Sequence, residues 1–145
     1  MVDTDLILHP NTLIQLLSSK KKLIANIFWT QEKPNSNYFW ANCWDYDQYT
    51  QVNVKEWLRK GVYEVGGTGA CFLISREVIE KGVNYSPISN LKFIHGEDRY
   101  FCIRAVCNGF KIYIDTHYPA LHLYRPSIYE DYIKSKAGGL NGFNR

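Results

Sequence analysis

Two pairs of carboxylates, far apart in the chain, have the residue types and spacing of a catalytic site. Asp3 and Asp5 are separated by one residue, and Glu97 and Asp98 are adjacent. Carboxylates at positions i and i+2 of an extended segment point the same way, so Asp3 and Asp5 can hold a divalent cation through oxygen ligands. An acidic pair at the start of a helix can supply a general base. Together the two pairs predict group transfer from a phosphate-bearing donor.

Each pair also has a structural interpretation. A polar turn after a strand explains Asp3 and Asp5, because such triplets often occur by chance. Their apolar neighbours strengthen the case for a ligand site, since the sites of open α/β sheets lie where buried strands emerge. Helix capping explains Glu97 and Asp98, because the helix N-terminus stabilises acidic side chains by about 0.3–1 kcal/mol. Capping by one acid and catalysis by the other are compatible.

A histidine and a glycine-rich turn are the next candidates. His122 has apolar neighbours, and such a histidine more often belongs to the core than to a ligand set. If His122 binds a metal ion, Mn²⁺ is favoured over Mg²⁺. His117 is the alternative histidine for this role. The turn 66–69, Gly-Gly-Thr-Gly, is either a flexible connection or a backbone that approaches a ligand closely. It is not a phosphate-binding P-loop, because no Lys-Ser/Thr pair follows it at the right place.

Composition limits the function classes. The chain has 145 residues, of which 46% are hydrophobic and 21% charged, so it predicts one globular domain with a core. Its 15% aromatic content suits stacking on sugars or bases, but an ordinary core is favoured. The net charge of +3 is mild, and the basic run 20–22 marks a solvated helix end, so no nucleic-acid partner is predicted.

The cysteines and the apolar runs predict a location. The four cysteines lack the spacing of a zinc site, which predicts free thiols in a reducing compartment. No signal peptide is recognisable, and no apolar run is long enough to span a bilayer. We therefore predict a cytoplasmic protein, or one that associates peripherally with a membrane as part of a longer protein.

Helices and strands alternate along the chain, which predicts an α/β fold with a mixed sheet and flanking helices. The first helix starts at Pro10 and carries an apolar stripe. Residues 38–49 are predicted to form a long ordered loop, or a short helix and a loop. The stripe consists of Leu13, Ile14, Leu16 and Leu17. Further strands are predicted at 23–29, 70–74, 110–114 and 120–123, a helical turn at 55–59, helices at 76–81, 97–108 and 127–136, and a frayed tail from 137.

The order of these pieces resembles the second half of a GT-A-fold nucleotide-sugar glycosyltransferase of the broad family 2-like group. The resemblance runs from Val2 to about Arg125, which is most of the chain. It consists of an aspartate pair, a glycine-rich turn before a strand, an acidic pair that opens a helix, and a late histidine. It implies that residues 1–125 are the acceptor-side half of a Rossmann-like GT-A domain, with 126–145 a C-terminal helix and flexible tail.

The resemblance implies a role for each acidic residue and for the histidine. Asp3, Asp5 and His122 would hold Mn²⁺ or Mg²⁺ on the donor diphosphate, neutralising the charge on the leaving nucleoside diphosphate. Asp98 would deprotonate the acceptor hydroxyl for in-line attack at the anomeric carbon, with inversion. Glu97 would cap the helix or bind the acceptor.

Glycines and aromatic residues are the other residues to which the resemblance assigns a role. By the same resemblance, Gly66 and Gly67 would line the sugar pocket. Trp40, Trp44 and Tyr46 would stack on the donor or acceptor sugar, although core packing explains them equally well.

The chain departs from the family's pattern at its start. Family members carry a nucleotide-binding βαβ region of about 100 residues before the aspartate pair, whereas Met1 falls inside the strand that should carry the aspartates here. We therefore expect a fragment that binds nucleotide-sugar poorly in isolation, transfers nothing detectable, and self-associates through an exposed sheet edge.

Two other functions remain open on sequence grounds. One is a non-catalytic carbohydrate-binding or interaction domain, in which the acids cap helices and the aromatic residues form the platform. The other is a metal-dependent phosphoryl transferase or hydrolase built on Asp3 and Asp5. The second is disfavoured because the Thr or Lys partners of such sites are not recognisable.

Overall fold

A six-stranded mixed sheet forms the centre of the computed structural model, which describes residues 1–31, 33, 38–52, 59–91 and 94–137. Along the chain the elements are β1 (Leu6–Ile7), α1 (Thr12–Ser18), β2 (Leu23–Gln31), β3 (Phe39–Ala41), β4 (Cys43–Trp44), β5 (Val62–Val65), β6 (Gly67–Thr68), β7 (Phe72–Ile74), α2 (Arg76–Glu80), α3 (Glu97–Cys107), β8 (Ile112–His122) and α4 (Pro126–Ala137).

The two longest strands, β2 and β8, run parallel through the middle of the sheet, with Ala25 opposite Ile114. The shorter strands pair antiparallel with them: β3 and β7 with β2, and β1 and β5 with β8. Strands β4 and β6 form a separate two-stranded sheet. The predicted α/β class with a mixed sheet and flanking helices is confirmed.

Strand β2 is central because its sequence is apolar on both faces. Residues 23–28 are all buried, although Asn26 is polar. A strand with both faces covered is expected to be a continuous apolar run rather than an alternating one. The predicted strand at 23–29 is confirmed.

Helix α3 closes one side of the core with a small apolar face. Phe101, Cys102 and Ala105 have no exposed surface, and Phe101 stacks on the ring of Tyr85 with a centroid distance of 4.5 Å. Gly109 follows the helix with a φ of 78°, a conformation that glycine adopts without strain. The predicted helix at 97–108 is confirmed.

A bulge in β8 joins two segments that were predicted to be separate strands. Opposite β2 the partner changes from Asp115 at Asn26 to Ala120 at Phe28, so residues 116–119 form the bulge. The Asn26 side chain donates to the Tyr118 carbonyl at 3.0 Å and so holds the bulge against β2. The prediction of separate strands at 110–114 and 120–123 is therefore wrong, because the ladder continues past the bulge.

Two predictions near the start of the chain are corrected. Segment 38–49 is not simply loop or helix, because it contributes β3 and β4 to two sheets. In α1 only Leu16 of the apolar stripe is buried, while Leu13, Ile14 and Leu17 are 57%, 69% and 56% exposed.

Other predictions are confirmed or lie outside the described residues. Helices α2 and α4 occur where predicted, and the four cysteines are free thiols. Most of the predicted turn at 55–59 and all but the first residue of the predicted tail lie outside the described residues. Among the described helices, none is both long and apolar enough to cross a membrane. Self-association through a sheet edge stays a prediction.

Candidate active site

The first three residues bring the N-terminal acids to the glycine-rich turn. Met1 and Phe72 exchange two backbone hydrogen bonds of 2.8 and 2.9 Å, in which each residue donates once. The Asp3 N–H then donates to the Ala70 carbonyl at 2.9 Å. This pairing places Asp3 beside the turn at Gly69 and Ala70, about 70 residues further along the chain.

Asp98, in the first turn of α3, reaches the same turn. Its carboxylate lies so close to Gly69 that a Cβ there would be 2.1 Å from Asp98 Oδ2. The Ala70 N–H donates a hydrogen bond to this carboxylate. Ala70 has a φ of 69°, which is strained for a residue with a side chain. One acid of each pair, Asp3 and Asp98, is therefore located at the same strained turn.

The surroundings of Asp98 adapt it to accept a proton near neutral pH. The pKa of this half-buried carboxylate is raised to about 6, mainly by burial and then by the negative charges of Glu97 and Asp3. The hydrogen bond from Ala70 and the charge of Arg99 act in the opposite direction. A carboxylate with a pKa near the working pH is suited to general-base catalysis. Glu97 itself is exposed. Its two predicted roles, capping the helix or binding the acceptor, stay predictions.

Trp44 is buried beside Gly67. It is 7% exposed, and its Nε1 donates to the Gln48 side chain at 2.7 Å. The Arg99 guanidinium lies 4.6 Å from the centre of a Trp44 ring, and its Nε donates to the Gln48 carbonyl at 2.9 Å. Packing of Trp44 in the core explains all of these contacts, and stacking of Trp44 on a sugar stays a prediction.

Gly66 and Gly67 pack against the turn that follows Trp44. A Cβ on Gly66 would lie 2.1 Å from backbone atoms of Asp45 and Tyr46, and one on Gly67 would lie 2.1 Å from Trp44 Nε1. Backbone packed against Gly66 and the indole packed against Gly67 therefore require glycine at both positions, whether or not a ligand binds. Their predicted place in a sugar pocket is untested.

We expect Gly66→Ala to lower the free energy of unfolding by about 3 kcal/mol, because the new methyl group meets backbone that cannot rotate away. Gly82→Ala is the matched control. It has a φ of 80° but nothing within 4 Å of the new Cβ, so we expect a loss of only about 1 kcal/mol. Urea denaturation of both variants checks this. Equal losses would contradict the packing explanation.

Asp5 meets His122 on the neighbouring strand. Strands β1 and β8 pair Leu6 with His122, and the Asp5 carbonyl accepts the Leu123 N–H at 2.8 Å. His122 Nε2 is 3.1 Å from Asp5 Oδ2, and its Nδ1 is 2.8 Å from the Thr30 hydroxyl oxygen. The imidazole is 15% exposed and the Asp5 side chain 48% exposed. Two of the three predicted metal ligands are therefore in contact.

The chemistry of these donors fits a divalent transition metal. If Nδ1–H donates to Thr30, the Nε2 lone pair points at a carboxylate, and a proton or a cation must lie between them. Carboxylate oxygen with imidazole nitrogen suits Mn²⁺ better than Mg²⁺. Among the described residues, no three His, Cys, Asp or Glu side chains are grouped closely enough to hold a metal ion. Participation of Asp3 with Asp5 and His122 stays a prediction.

An open cleft of about 450 Å³ borders Asp5. Its lining consists of Thr4, Asp5, Leu123, Tyr124, Arg125, Pro126 and Tyr129. The Arg125 guanidinium lies 4.8 Å from the centre of the Tyr124 ring and donates to the Gln31 side chain at 3.2 Å. Arg125 is the cationic group of this lining, and Asp5 is its carboxylate.

The remaining predicted aromatic residues lie near the surface. Trp40 is half-buried and lies opposite Thr30 in the β2–β3 pair. Strand β2 separates it from His122 on β8. Tyr46 is 48% exposed, and its hydroxyl donates to Glu64 at 2.6 Å, which is the main reason that its pKa rises to about 12. Neither ring meets Asp98 through a contact among the described residues.

Sequence reasoning missed three residues that hold this site. Thr30 and Asn42 are single polar residues in or beside strands, and nothing in their spacing marks them. The positive φ of Ala70 has no sequence signal either, since glycine is the residue that such a conformation predicts.

The chain was compared with known proteins. No protein-family model and no curated protein matches it significantly. The functional interpretation therefore depends on the residues and the geometry described above.

Proposed function

We propose that this chain provides the acceptor-side active site of a metal-dependent glycosyltransferase, which moves a sugar from a nucleoside-diphosphate sugar to an acceptor hydroxyl. The observation that carries the proposal is the convergence of Asp98 and Asp3 on the turn at Gly69 and Ala70. It supports the proposal because a general base and a member of the metal clamp must lie close together to act in one reaction, and these two acids are 95 residues apart in the chain.

Asp98 is the proposed general base. Its carboxylate is half-buried, and its pKa of about 6 leaves it charged, yet basic enough to take a proton, at neutral pH. As the acceptor oxygen forms its bond to the anomeric carbon, the hydroxyl proton passes to Asp98. The bond from that carbon to the phosphate oxygen breaks, and the nucleoside diphosphate leaves. A single displacement of this kind inverts the anomeric configuration.

Asp5 and His122, with Asp3, are the proposed holders of Mn²⁺ or Mg²⁺. When bound, the cation neutralises charge on the departing diphosphate. Thr30 orients the His122 ring through Nδ1, as the outer partners of metal-binding histidines do. The adjacent Arg125 and Tyr124 extend this polar region along the cleft.

A carbohydrate-binding domain without catalysis is the second candidate. One observation favours it: several aromatic side chains between 38 and 49 are about half exposed, which suits stacking on sugar rings. They are Tyr38 at 59%, Phe39 at 51%, Tyr46 at 48% and Tyr49 at 55%. Such binding requires neither a metal ion nor a base.

Calorimetric titration with nucleoside diphosphates separates the two candidates. In the complete natural protein, we expect binding that needs Mn²⁺ and disappears with a chelator, because Asp5 and His122 reach the diphosphate through the cation. Sugar binding that is unchanged by the chelator and by Asp98→Asn, with no nucleotide binding, would instead favour the carbohydrate-binding domain.

A further inference from the structure

The Asn42 side chain connects the central sheet to the turn that holds Asp98. Its Nδ2 donates to the carbonyls of Asn26 and Gly69, each at 3.0 Å, and its Oδ1 accepts the Phe28 N–H at 3.0 Å. Both hydrogens of the amide and its oxygen are therefore engaged. Residues of β2 hold one side of this amide, and the turn holds the other.

The Asn42 backbone adds two more bonds to the same turn. Its carbonyl accepts the Thr68 hydroxyl at 2.7 Å and the Gly69 N–H at 3.2 Å. Gly69 is thus held at both its N–H and its carbonyl by a single residue. A turn bonded in this way is fixed relative to the sheet.

The next residue needs such support. Ala70 has a φ of 69°, which costs of the order of 1 kcal/mol and persists only where surrounding contacts enforce it. Its N–H bonds to the Asp98 carboxylate, and its carbonyl accepts the Asp3 N–H. If residues 69 and 70 relaxed, both acids would lose the contact that locates them.

We propose that Asn42 is a positioning residue, whose carboxamide holds the turn at Gly69 and Ala70 and so places the Asp98 carboxylate. Its consequence for sugar transfer rests on the proposed function, but the positioning does not. Asn42 does not touch the reacting atoms, and it acts through the turn.

The ¹³C resonance of the Asp98 carboxyl, titrated with pH by NMR, tests this directly. In the wild-type protein we expect a midpoint near 6, against an ordinary value of 3.8. In Asn42→Ala and Asn42→Ser, the released turn should let water reach the carboxylate, which lowers the midpoint, while loss of the Ala70 bond raises it. Because burial is the largest cause of the shift, the first effect should win, and the midpoint should fall by about one pH unit. The serine variant keeps a polar group at this position, so it can be measured if the alanine variant does not fold.

Two further variants calibrate the result. Gly69→Ala pushes the Asp98 side chain away directly, because the new Cβ would lie 2.1 Å from its Oδ2, and gives the midpoint of a displaced carboxylate. Asn26→Ala is the matched control, since Asn26 is 1% exposed and its amide donates to Tyr118 rather than to the turn. We expect it to lose stability without moving the Asp98 midpoint.

The outcomes separate this inference from the proposed function. A midpoint that stays near 6 in both Asn42 variants, or that falls equally in Asn26→Ala, would overturn the positioning role whether or not sugar is transferred. Where wild-type transfer is measured, Asn42→Ala should lower kcat by up to about 100-fold with little change in the donor KM. Absence of transfer in the wild type would count against the proposed function and leave the NMR result intact.

Discussion

Asp98→Asn should lower the rate of sugar transfer by about 10²–10⁴-fold, which is the usual contribution of a positioned general base. Asparagine keeps the shape of the side chain but cannot accept the hydroxyl proton. The measurement is kcat at saturating donor in the complete natural protein. Asp47→Asn is the control, because Asp47 is an exposed carboxylate whose hydrogen bonds are to its own turn at Tyr49 and Thr50.

The same substitution should stabilise the fold at neutral pH. Burial raises the pKa of Asp98 from 3.8 to about 6, so the folded state binds more protons than the unfolded state between these values. The stability that this group contributes is therefore present below pH 3.8 and is lost as the pH rises through 6. Above pH 6, Asp98→Asn should be more stable than the wild type by about 1 to 2 kcal/mol, allowing for solvent screening.

Denaturant titrations at pH 4 and pH 7.5 measure this difference. We expect Asp98→Asn and the wild type to be similar in stability at pH 4 and to diverge at pH 7.5. Asp47→Asn should not be stabilised, because hydrogen bonds, first from the Thr50 hydroxyl, lower the pKa of Asp47 instead. An Asp98→Asn variant that is less stable than the wild type at pH 7.5 would contradict the assigned environment. A substitution that removes activity and adds stability is typical of a functional site.

Removal of the metal ion should lower the transfer rate by about 10³-fold, because a bound cation supplies several kcal/mol of charge stabilisation to a departing diphosphate. Mn²⁺ should restore more activity than Mg²⁺, since His122 supplies an imidazole nitrogen. His122→Ala should raise the Mn²⁺ concentration needed for half-maximal rate, because it removes one ligand and leaves Asp5 without its partner.

His117→Ala is the matched control for the metal experiment. His117 lies on the bulge of the same strand, and its Nδ1 is 3.0 Å from the buried Asp115 carboxylate. It also contacts Gln15 of α1, so it has a complete structural role away from Asp5. We expect its substitution to leave the Mn²⁺ dependence unchanged. Activity that survives chelation, or a His122→Ala variant with the Mn²⁺ dependence of the wild type, would refute the metal assignment.

The parts of the fold that the sequence predicted well have strong local signals. The buried run at 23–29 has no alternation and stands between polar segments, so a covered strand was the natural interpretation. Helix α3 begins after Gly96, carries a compact apolar face and ends at Cys107, two residues before Gly109. In each case the residues that specify the element lie within the element itself.

The parts that the sequence did not predict depend on distant partners. Strands β3 and β4 exist because Ala41 pairs with Trp29 and Cys43 with Thr68, and short strands of this kind have no period to detect. Strand β8 continues past a bulge whose Tyr118 carbonyl accepts a hydrogen bond from the distant Asn26 side chain. The exposed leucines of α1 follow the helical period of a buried face, but only Leu16 reaches the core.

The candidate site shows the same division. The residue types were predictable: an aspartate pair near the start, acids at a helix start, a glycine-rich turn, and a late histidine. The extended conformation predicted for the aspartate pair is wrong, because Thr4 and Asp5 form a turn in which the Leu6 N–H donates to the Asp3 carbonyl at 3.3 Å. The arrangement of the site residues was not predictable, because Asp3 bonds to Ala70 while Asp5 bonds to His122, and two residues separated by one position therefore have different partners. That division depends on how the N-terminal segment lies across two strands, which no local pattern encodes.

Transfer itself is the most direct test of the account. The complete natural protein would be incubated with Mn²⁺, a panel of nucleoside-diphosphate sugars and a hydroxyl acceptor, and the glycoside would be detected by mass spectrometry and its anomeric configuration by NMR. We predict a glycoside of inverted configuration that forms with Mn²⁺ and is nearly absent in Asp98→Asn. Transfer at the wild-type rate by Asp98→Asn, or sugar binding without transfer from any donor, would contradict the assignment of this site.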